Sequence, residues 1–534
     1  MLYIHTMLFD HYLLLIVSLL PILYRYFFWL YVIQLKEYRW DRFREYLSTP
    51  QGNSAIINVW SVIELPLFIV SFYVFLNEPF EYILYPVVFY FLLIQNLFIL
   101  RKIQKKTILK PKFTGRLLIT LGLILIGTVF DIYFMAIYEY SNILYSYLLF
   151  VLLFAPLIIF FVIGITLPFI NYFKNKKINK ATKISLENKK TILIGITGSY
   201  GKSTVKEYLA SILEQDGETL KTPENINTEL GVSDLIIRKL NESYKYFVAE
   251  MGAYKIGEID TLGKIVNHKY GFLTAVGNQH LGLFGSLENI KKGKSEIINS
   301  VTKNKGILYI NWDVKEIREL ELDKDTKIVK YGNHKGSATS YKIIEVKNGK
   351  TEFEFEYKDH KTTFKAPIIG EHNIINITGV LAFCYDLGLK TTDLKEYVKN
   401  IKSPKNTLQI IKRNNYTIID DTYNLSEAGL FAGIEVLNSF KGERVLVMDD
   451  ILELGKDAKY IHYNIGKKLV EKKLIDKIKY TGINYKNDLL NGMFDYGFKP
   501  DDVLVSLDYD LNDSILLFEG RSTKKYLDKI NKDV

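Results

Sequence analysis

Apolar residues follow two regimes along this chain. From residue 12 to 173 they run in long blocks of Leu, Ile, Phe, Tyr and Val, broken by short charged intervals. From 174 to 534 they recur in short bursts between Lys, Asp, Glu and Gly. Five blocks approach or exceed the roughly 20 residues that cross a bilayer as a helix. They lie near 12–33, 56–76, 80–100, 117–138 and 144–173. The first has neither a basic leader nor a small-residue cleavage site, and more spans follow, so it is not a cleaved signal. The second regime predicts short buried strands alternating with helical periodicity, which is the pattern of parallel α/β sheets. TILIGIT (191–197), YFVAEMG (246–252) and YGFLTAVGNQHLG (270–282) form one such set. YTIID, RVLVMDD, KIKYTG, DVLVSLD and SILLFEG form a second, Rossmann-like set. Between them, residues 342–367 read as a pair of β-hairpins with an Asn-Gly turn at 348–349. The expected organisation is a helical membrane domain (1–173), a basic linker (174–189), a central α/β domain (190–401) and a C-terminal α/β domain (402–534).

Composition changes this picture in two respects. The 534 residues are 48% apolar with a formal charge of +10. Much of the positive charge flanks the apolar blocks, so it reads as membrane topology and not as a nucleic-acid surface. Loop 34–55 carries Lys36, Arg39, Arg42 and Arg44. Loop 101–116 carries Arg101, Lys102, Lys105, Lys106, Lys110, Lys112 and Arg116, and seven more lysines lie between 174 and 190. The other loops hold Glu78, Glu81 and Glu139 without Lys or Arg. Five spans place all three basic segments on one face, which the positive-inside bias makes cytoplasmic. The N-terminus is then outside and residues 174–534 cytoplasmic. KEYRWDRFREYL (36–47) is amphipathic and suits the membrane surface. Asp131 lies inside the fourth block, either near the outer interface or on a transport path. The single cysteine, Cys384, excludes a disulfide framework and a cysteine metal site, and sits in an apolar helical run at 376–388.

The chemistry is concentrated after the first strand of the second regime. GSYGKST (198–204) follows a buried strand and opens a helix. Gly198 and Gly201 let backbone amides turn inward around Ser199, and the helix N-terminus adds its dipole. Lys202 supplies a charge for β- and γ-phosphates, and Ser203 or Thr204 a hydroxyl for Mg²⁺. The spacing departs from the strict GxxxxGK[ST] form because Tyr200 stands where that count wants glycine. Glu250 and His280 lie at the carboxyl ends of neighbouring strands, where open α/β sheets place ligands.

These stretches resemble the Mur ligase family, most of all its MurF type. The match comprises GITGSYGKST (195–204), TPENINTELG (222–231), AEMGAYKIGEI (249–259), NQHLGLFGSLENIKKGKSEII (278–298), GEHNIIN (370–376), IDDTYN (419–424), DDILELG (449–455) and EGRS (519–522). The resemblance covers about 190–530. It implies an ATP- and Mg²⁺-dependent ligase that converts a carboxylate to an acyl phosphate and then to an amide. Lys202 would hold the transferred phosphoryl group, and Ser203 or Thr204, Glu250 and His280 would organise Mg²⁺. Lys294 matches a lysine that many members carbamylate. Asn373 and Asn376 would contact adenine, Asp421 the ribose, and Tyr423 and Asn424 would line the cleft. Asn225 and Asn227 fall in the family's Asn-rich substrate loop. The implied partners are a nucleotide- or lipid-linked cell-envelope precursor, as in peptidoglycan biosynthesis, and an amino acid or dipeptide.

Three departures bear on substrate. Five apolar blocks replace the family's nucleotide-sugar domain. Thr407 stands where the family has arginine, with Lys412 or Arg413 as candidate substitutes. NLSE (424–427) and DDI (449–451) alter the domain that receives the amine. The alternatives are a poly-γ-glutamate-type polymerising ligase, a catalytically weak membrane scaffold or nucleotide sensor, and an ATP-driven transporter. The last is disfavoured by the ligase motifs and by spans that show no paired polar residues.

Overall fold

A helix satisfies the polar groups of its own backbone without water, and the long apolar blocks are helices. The computed structural model describes every residue except Met1, 77–80, 138–143, Asn225, Asn348, 405–406, Asn414, Asn424, 508–510 and 533–534. Two compact units result, Met1–Phe173 and Lys174–Val534. The first contains α1 (Leu2–Leu35), α2 (Trp40–Ser48), α3 (Pro50–Ile56), α4 (Val59–Leu76), α5 (Glu81–Gln104), α6 (Gly115–Ile137) and the start of α7 (Leu144–Glu187). Among the described residues, five stretches are long and apolar enough to cross a membrane: Tyr12–Leu35, Pro50–Tyr73, Leu84–Gln104, Gly115–Met135 and Leu144–Glu187. Trp29, Val88, Leu149 and Leu152 pack in their shared core. Ile126, Phe161 and Phe169 face outward, 67–70% exposed. Helices apolar on the outer face as well as the inner suit lipid, not water.

Several sequence expectations shift here. The second span starts at Pro50, with a break at Ile57–Asn58 between α3 and α4. The surface segment is helical only from Trp40, after a turn over 36–39. The basic stretch after Phe173 is no loose linker: α7 continues through it to Glu187. It belongs to the second unit, where Ala181 is buried with Ile178 and Ile184 packed beside it. Lys177 pairs with Asp234 at 2.6 Å, and Lys174 pairs with Glu229. The spans do hold paired polar residues: Arg25 on α1 bonds Glu64 on α4 at 2.6 Å, and Gln95 on α5 donates to the same carboxylate at 2.8 Å. Those residues are far apart in sequence, so helix packing alone brings them together. Asp131 accepts from Tyr147 at 3.0 Å.

In the second unit, β1 (Ile192–Thr197), β2 (Thr219–Lys221), β3 (Tyr246–Glu250), β4 (Tyr270–Leu273), β5 (Ile307–Asn311) and β6 (Lys327–Tyr331) form a six-stranded sheet in the order β2-β3-β1-β4-β5-β6. Every pairing is parallel. Helix α8 (Lys202–Leu213) buries Val205, Leu209 and Leu213 against Ile194, Ile196 and Phe272 on one face. Leu262, Ile265 and Val301 cover the other. β7 (Thr339–Lys347), β8 (Lys350–Tyr357) and β9 (His360–Ala366) make an antiparallel sheet; Asn348 of the expected turn lies outside the described residues. Cys384 is fully buried in the helix Glu371–Asp386.

The last sheet contains β10 (Gln409–Lys412), β11 (Thr417–Asp421), β12 (Glu443–Met448), β13 (Lys477–Tyr480) and β14 (Ser514–Glu519), in the order β10-β11-β14-β12-β13. Its strands are parallel except for β10, an antiparallel edge that the pattern did not predict. DVLVSLD supplies only an isolated bridge from Val503 to Ile478.

Candidate functional site

The carboxyl ends of β1 and β3 lie side by side, with Ile196 opposite Glu250. Parallel strands present their following loops on one edge, which is where the site forms. Gly201, the N-cap of α8, has φ 79° and Gly198 has φ 150°. A Cβ on Gly198 would sit 2.2 Å from the Thr274 hydroxyl oxygen, so only glycine fits that turn. Ser199 is structural as well: its hydroxyl donates to the Gly277 carbonyl at 3.2 Å and accepts from the Gly277 amide at 3.1 Å. Lys202 folds back over the loop and donates to the carbonyls of Gly198 and Ser199, at 2.7 and 3.0 Å. Burial lowers its pKa, while Glu250 opposes the shift.

Under the loop lies a knot of polar groups. Glu250 is 3% exposed. Ser203 donates to its Oε2 at 3.0 Å, and Asn227 Nδ2 to its Oε1 at 3.1 Å. Lys206, itself 1% exposed, pairs with Oε2 at 3.1 Å. Burial alone would raise the Glu250 pKa, but Lys206 and Lys202 outweigh it and hold the carboxyl below its ordinary range. Ser203, not the buried Thr204, is the hydroxyl that reaches the carboxylate. Lys206 escaped the sequence reading because it looks like any helix lysine; its only signal is its position one turn after Lys202.

His280 stands apart from that knot. It bonds the Glu453 carboxylate of the C-terminal domain through Nδ1, and its ring lies 4.6 Å from that of Tyr254. The Gly282 amide donates to the Glu453 carbonyl at 2.9 Å, so two chain segments meet there by side chain and backbone. Burial holds the imidazole below its usual range, assisted by Lys294 and Lys202 and opposed by Glu453. Lys294 is 1% exposed and donates to the Ala253 carbonyl at 3.1 Å. Burial first, then the charge of Lys202, pushes its pKa well below that of a free lysine. Glu453 lay within the DDILELG stretch, yet nothing local marked it as the partner of His280.

The remaining predicted residues divide. Asn376 faces the loop, its Oδ1 3.1 Å from where a Cβ on Gly201 would be. Asn373 turns back onto its own helix, to the Ile369 carbonyl at 2.7 Å. Burial raises the pKa of the Tyr423 phenol, the charge of Glu250 adds to the shift and Ser203 opposes it, and the Tyr423 carbonyl accepts from Arg521 at 3.0 Å. Asp421 ends β11 in a different cluster, beside Asp420 and Glu519; burial pushes its carboxyl up to about 7. Asn225 and Asn424 lie outside the described residues. Lys412 is opposite Thr417, at the other end of β11 from Asp421. Two of the altered motifs have structural roles. Ser426 caps the helix Glu427–Asn438. Asp450 accepts from the amides of Ile483, Asn484 and Tyr485 and from the Tyr480 hydroxyl.

The donor set suits phosphate and a hard cation. Among the described residues no group of three or more His, Cys, Asp or Glu forms a metal cage. Glu250 with the Ser203 hydroxyl supplies two oxygens, which matches Mg²⁺ held by one carboxylate, phosphate oxygens and water.

Residues 196–384 match the family model of the Mur ligase middle domain. Several curated proteins named UDP-N-acetylmuramoyl-tripeptide–D-alanyl-D-alanine ligase are similar. That of Buchnera aphidicola subsp. Baizongia pistaciae is 29% identical over 338 residues, covering 62% of this chain and 73% of that protein. That of Escherichia coli is 31% identical over 277 residues, covering 51% and 61%. That of Bacillus subtilis is 30% identical over 292 residues, covering 54% and 62%. The chain thus spans 61–62% of the length of the last two. Among solved structures, MurF from Acinetobacter baumannii aligns with a TM-score of 0.61 at 27% identity, covering 67% of this chain and 80% of that one. MurF ligase from Thermotoga maritima in complex with ADP gives 0.58 at 25% identity, covering 67% and 83%.

Proposed function

We propose that this chain, a Mur ligase by its middle domain and thereby an ATP-dependent amide ligase, is membrane-anchored and joins a cell-envelope precursor carboxylate to an amino acid or dipeptide. The observation that carries the reading is the Ser203–Glu250–Lys206–Asn227 knot beneath a glycine loop whose lysine, Lys202, is half-buried and held by loop carbonyls. A triphosphate entering the loop would exchange those carbonyls for phosphate oxygens around Lys202. The acceptor carboxylate attacks the γ-phosphorus, and ADP leaves. The incoming amine then attacks the acyl carbon, phosphate leaves, and the amine's surplus proton passes to a base. Mg²⁺, held by Glu250 and Ser203, would neutralise phosphate charge. Positioning and charge neutralisation do most of the work in such a transfer.

Lys294 fits a carbamate in two respects. It is 1% exposed, and burial, with the charge of Lys202 adding to it, shifts its amine towards the neutral form that adds CO₂. Carbamylation would turn that nitrogen into a carbamate with two oxygen donors, the ligand type that suits Mg²⁺. The five apolar helices would keep the catalytic domains at the cytoplasmic face, by the distribution of Lys and Arg. A precursor linked to a lipid, or to a nucleotide, would meet them there.

The test is phosphate release by the detergent-purified chain with ATP and Mg²⁺. Nucleotide-linked muramoyl tripeptide is compared with its lipid-linked counterpart, each with D-alanyl-D-alanine, and Lys202→Ala serves as the blank. Release above the blank with an amide product of matching mass is expected for one carrier. Release no greater than the blank with both would overturn this substrate assignment.

A further inference from the structure

The membrane unit holds a cavity of about 450 Å³ whose lining combines ring carbon with fixed cations. It lies between α1, the α3–α4 break and α5, and Tyr24, Arg25, Asn58, Trp60, Gln95 and Lys102 contribute to it. Topology puts it near one end of the bundle. α4 begins at Val59 and α5 ends at Gln104 beside the cavity, on one face of the bundle, and α1 runs about 15 Å past it to Leu35 on the same side. That face carries the basic loops 34–55 and 101–116.

The polar groups are positioned, not loose. Lys102 donates to the Tyr24 hydroxyl at 2.9 Å and lies over the rings of Phe98 and Tyr24, at 4.7 and 5.4 Å. Arg25 lies ten residues before the end of α1, about 15 Å inward along the helix. Its guanidinium is fixed by the fully buried Glu64, whose Oε1 also accepts from Gln95. Counting Arg25, Lys102 and Glu64 leaves one net positive charge. Asn58 caps α4 through the amides of Trp60 and Ser61, so a helix N-terminus also borders the cavity. A cation buried in apolar surroundings is costly, and a site of this volume suits a bound small group.

We propose that this cavity binds the phosphate headgroup of an anionic lipid between Lys102 and Arg25, with the hydrocarbon chain running along Phe28, Trp60 and Phe98. The proposal concerns the membrane unit alone and does not rest on the ligase reading. A soluble anion would gain nothing from the aromatic walls, and a neutral lipid nothing from the two cations. Lys102, two residues before the end of α5, sets the cationic end of the cavity towards the basic loops, the side on which anionic headgroups are drawn in.

Native mass spectrometry of the full chain released from detergent tests this. Dioleoylphosphatidic acid is compared with dioleoylglycerol, an isoprenyl monophosphate with its isoprenol, and inorganic phosphate is the competitor. Wild type is expected to prefer at least one phosphate lipid over its matched alcohol by about tenfold, the value of one charge-assisted hydrogen bond. Lys102→Gln, and separately the pair Arg25→Gln with Glu64→Gln, should abolish that preference. The paired variant avoids stranding a buried carboxylate; if it does not fold, Lys102→Gln decides. ATP binding by the variants checks that the second unit is intact. Equal binding of each lipid and its alcohol, preference retained in the folded variants, or displacement by stoichiometric inorganic phosphate would each overturn the proposal.

Discussion

Replacing Glu453 with alanine removes the side chain that joins His280 to the C-terminal domain. Both side chains are mostly buried, 20% and 27% exposed. A hydrogen bond to a charged group contributes about 1.5–3 kcal/mol, and the partial exposure argues for the lower figure. About 1.5 kcal/mol corresponds to roughly tenfold in the local opening equilibrium. The backbone bond from Gly282 to the Glu453 carbonyl, at 2.9 Å, survives the substitution but loses its support. Hydrogen–deuterium exchange reads this directly, because the Gly282 amide is the donor. Peptides covering 278–286 and 449–457 should exchange about tenfold faster in Glu453→Ala. β3, buried throughout, should be unchanged and serves as the internal reference. If both peptides keep wild-type protection, the bond does not couple the segments. If β3 loosens equally, the effect is global and the reasoning fails.

Two further outcomes follow from buried charge. Lys206→Met leaves Glu250 buried without its ion-pair partner, beside Ser203, Asn227 and the charge of Lys202. Breaking a buried pair costs about 3–5 kcal/mol, so β1 and β3 should lose exchange protection, and adding Glu250→Gln should restore much of it. No loss in the single variant would refute the pairing. Burial raises the pKa of Asp421 to about 7 and that of Glu519 well above the carboxylate range, with Asp421 adding to the latter. The folded state then keeps protons that the unfolded state releases, so stability falls as pH rises from about 4 towards 7. Protection of β14, corrected for intrinsic exchange, should be lower at pH 8 than at pH 5, and Glu519→Gln should narrow the gap; protection that rises with pH would contradict this assignment.

Much of the organisation was legible because it depends on neighbours in sequence. The apolar blocks predict spanning helices by length alone, and GSYGKST between a strand and a helix predicts a phosphate turn. The glycines at 198 and 201 had to be glycines, and the fold shows why: one blocks a clash with Thr274 and the other caps α8 at positive φ. What escaped is non-local. β10 is a short edge strand whose alternation is too brief to read, and DVLVSLD has strand composition but pairs only at Val503.

The sequence by itself determined which segments are lipid-compatible, where the parallel strands run, and which loop carries phosphate chemistry, since periodicity and turn chemistry act over a few residues. Only the tertiary structure decided the partners. Lys206 meets Glu250 from 44 residues away, Glu453 meets His280 across 173, and Arg25 meets Glu64 across 39. A lysine on a helix has the same local pattern whether it faces solvent or a buried carboxylate. Its environment exists only once the strands and helices have packed.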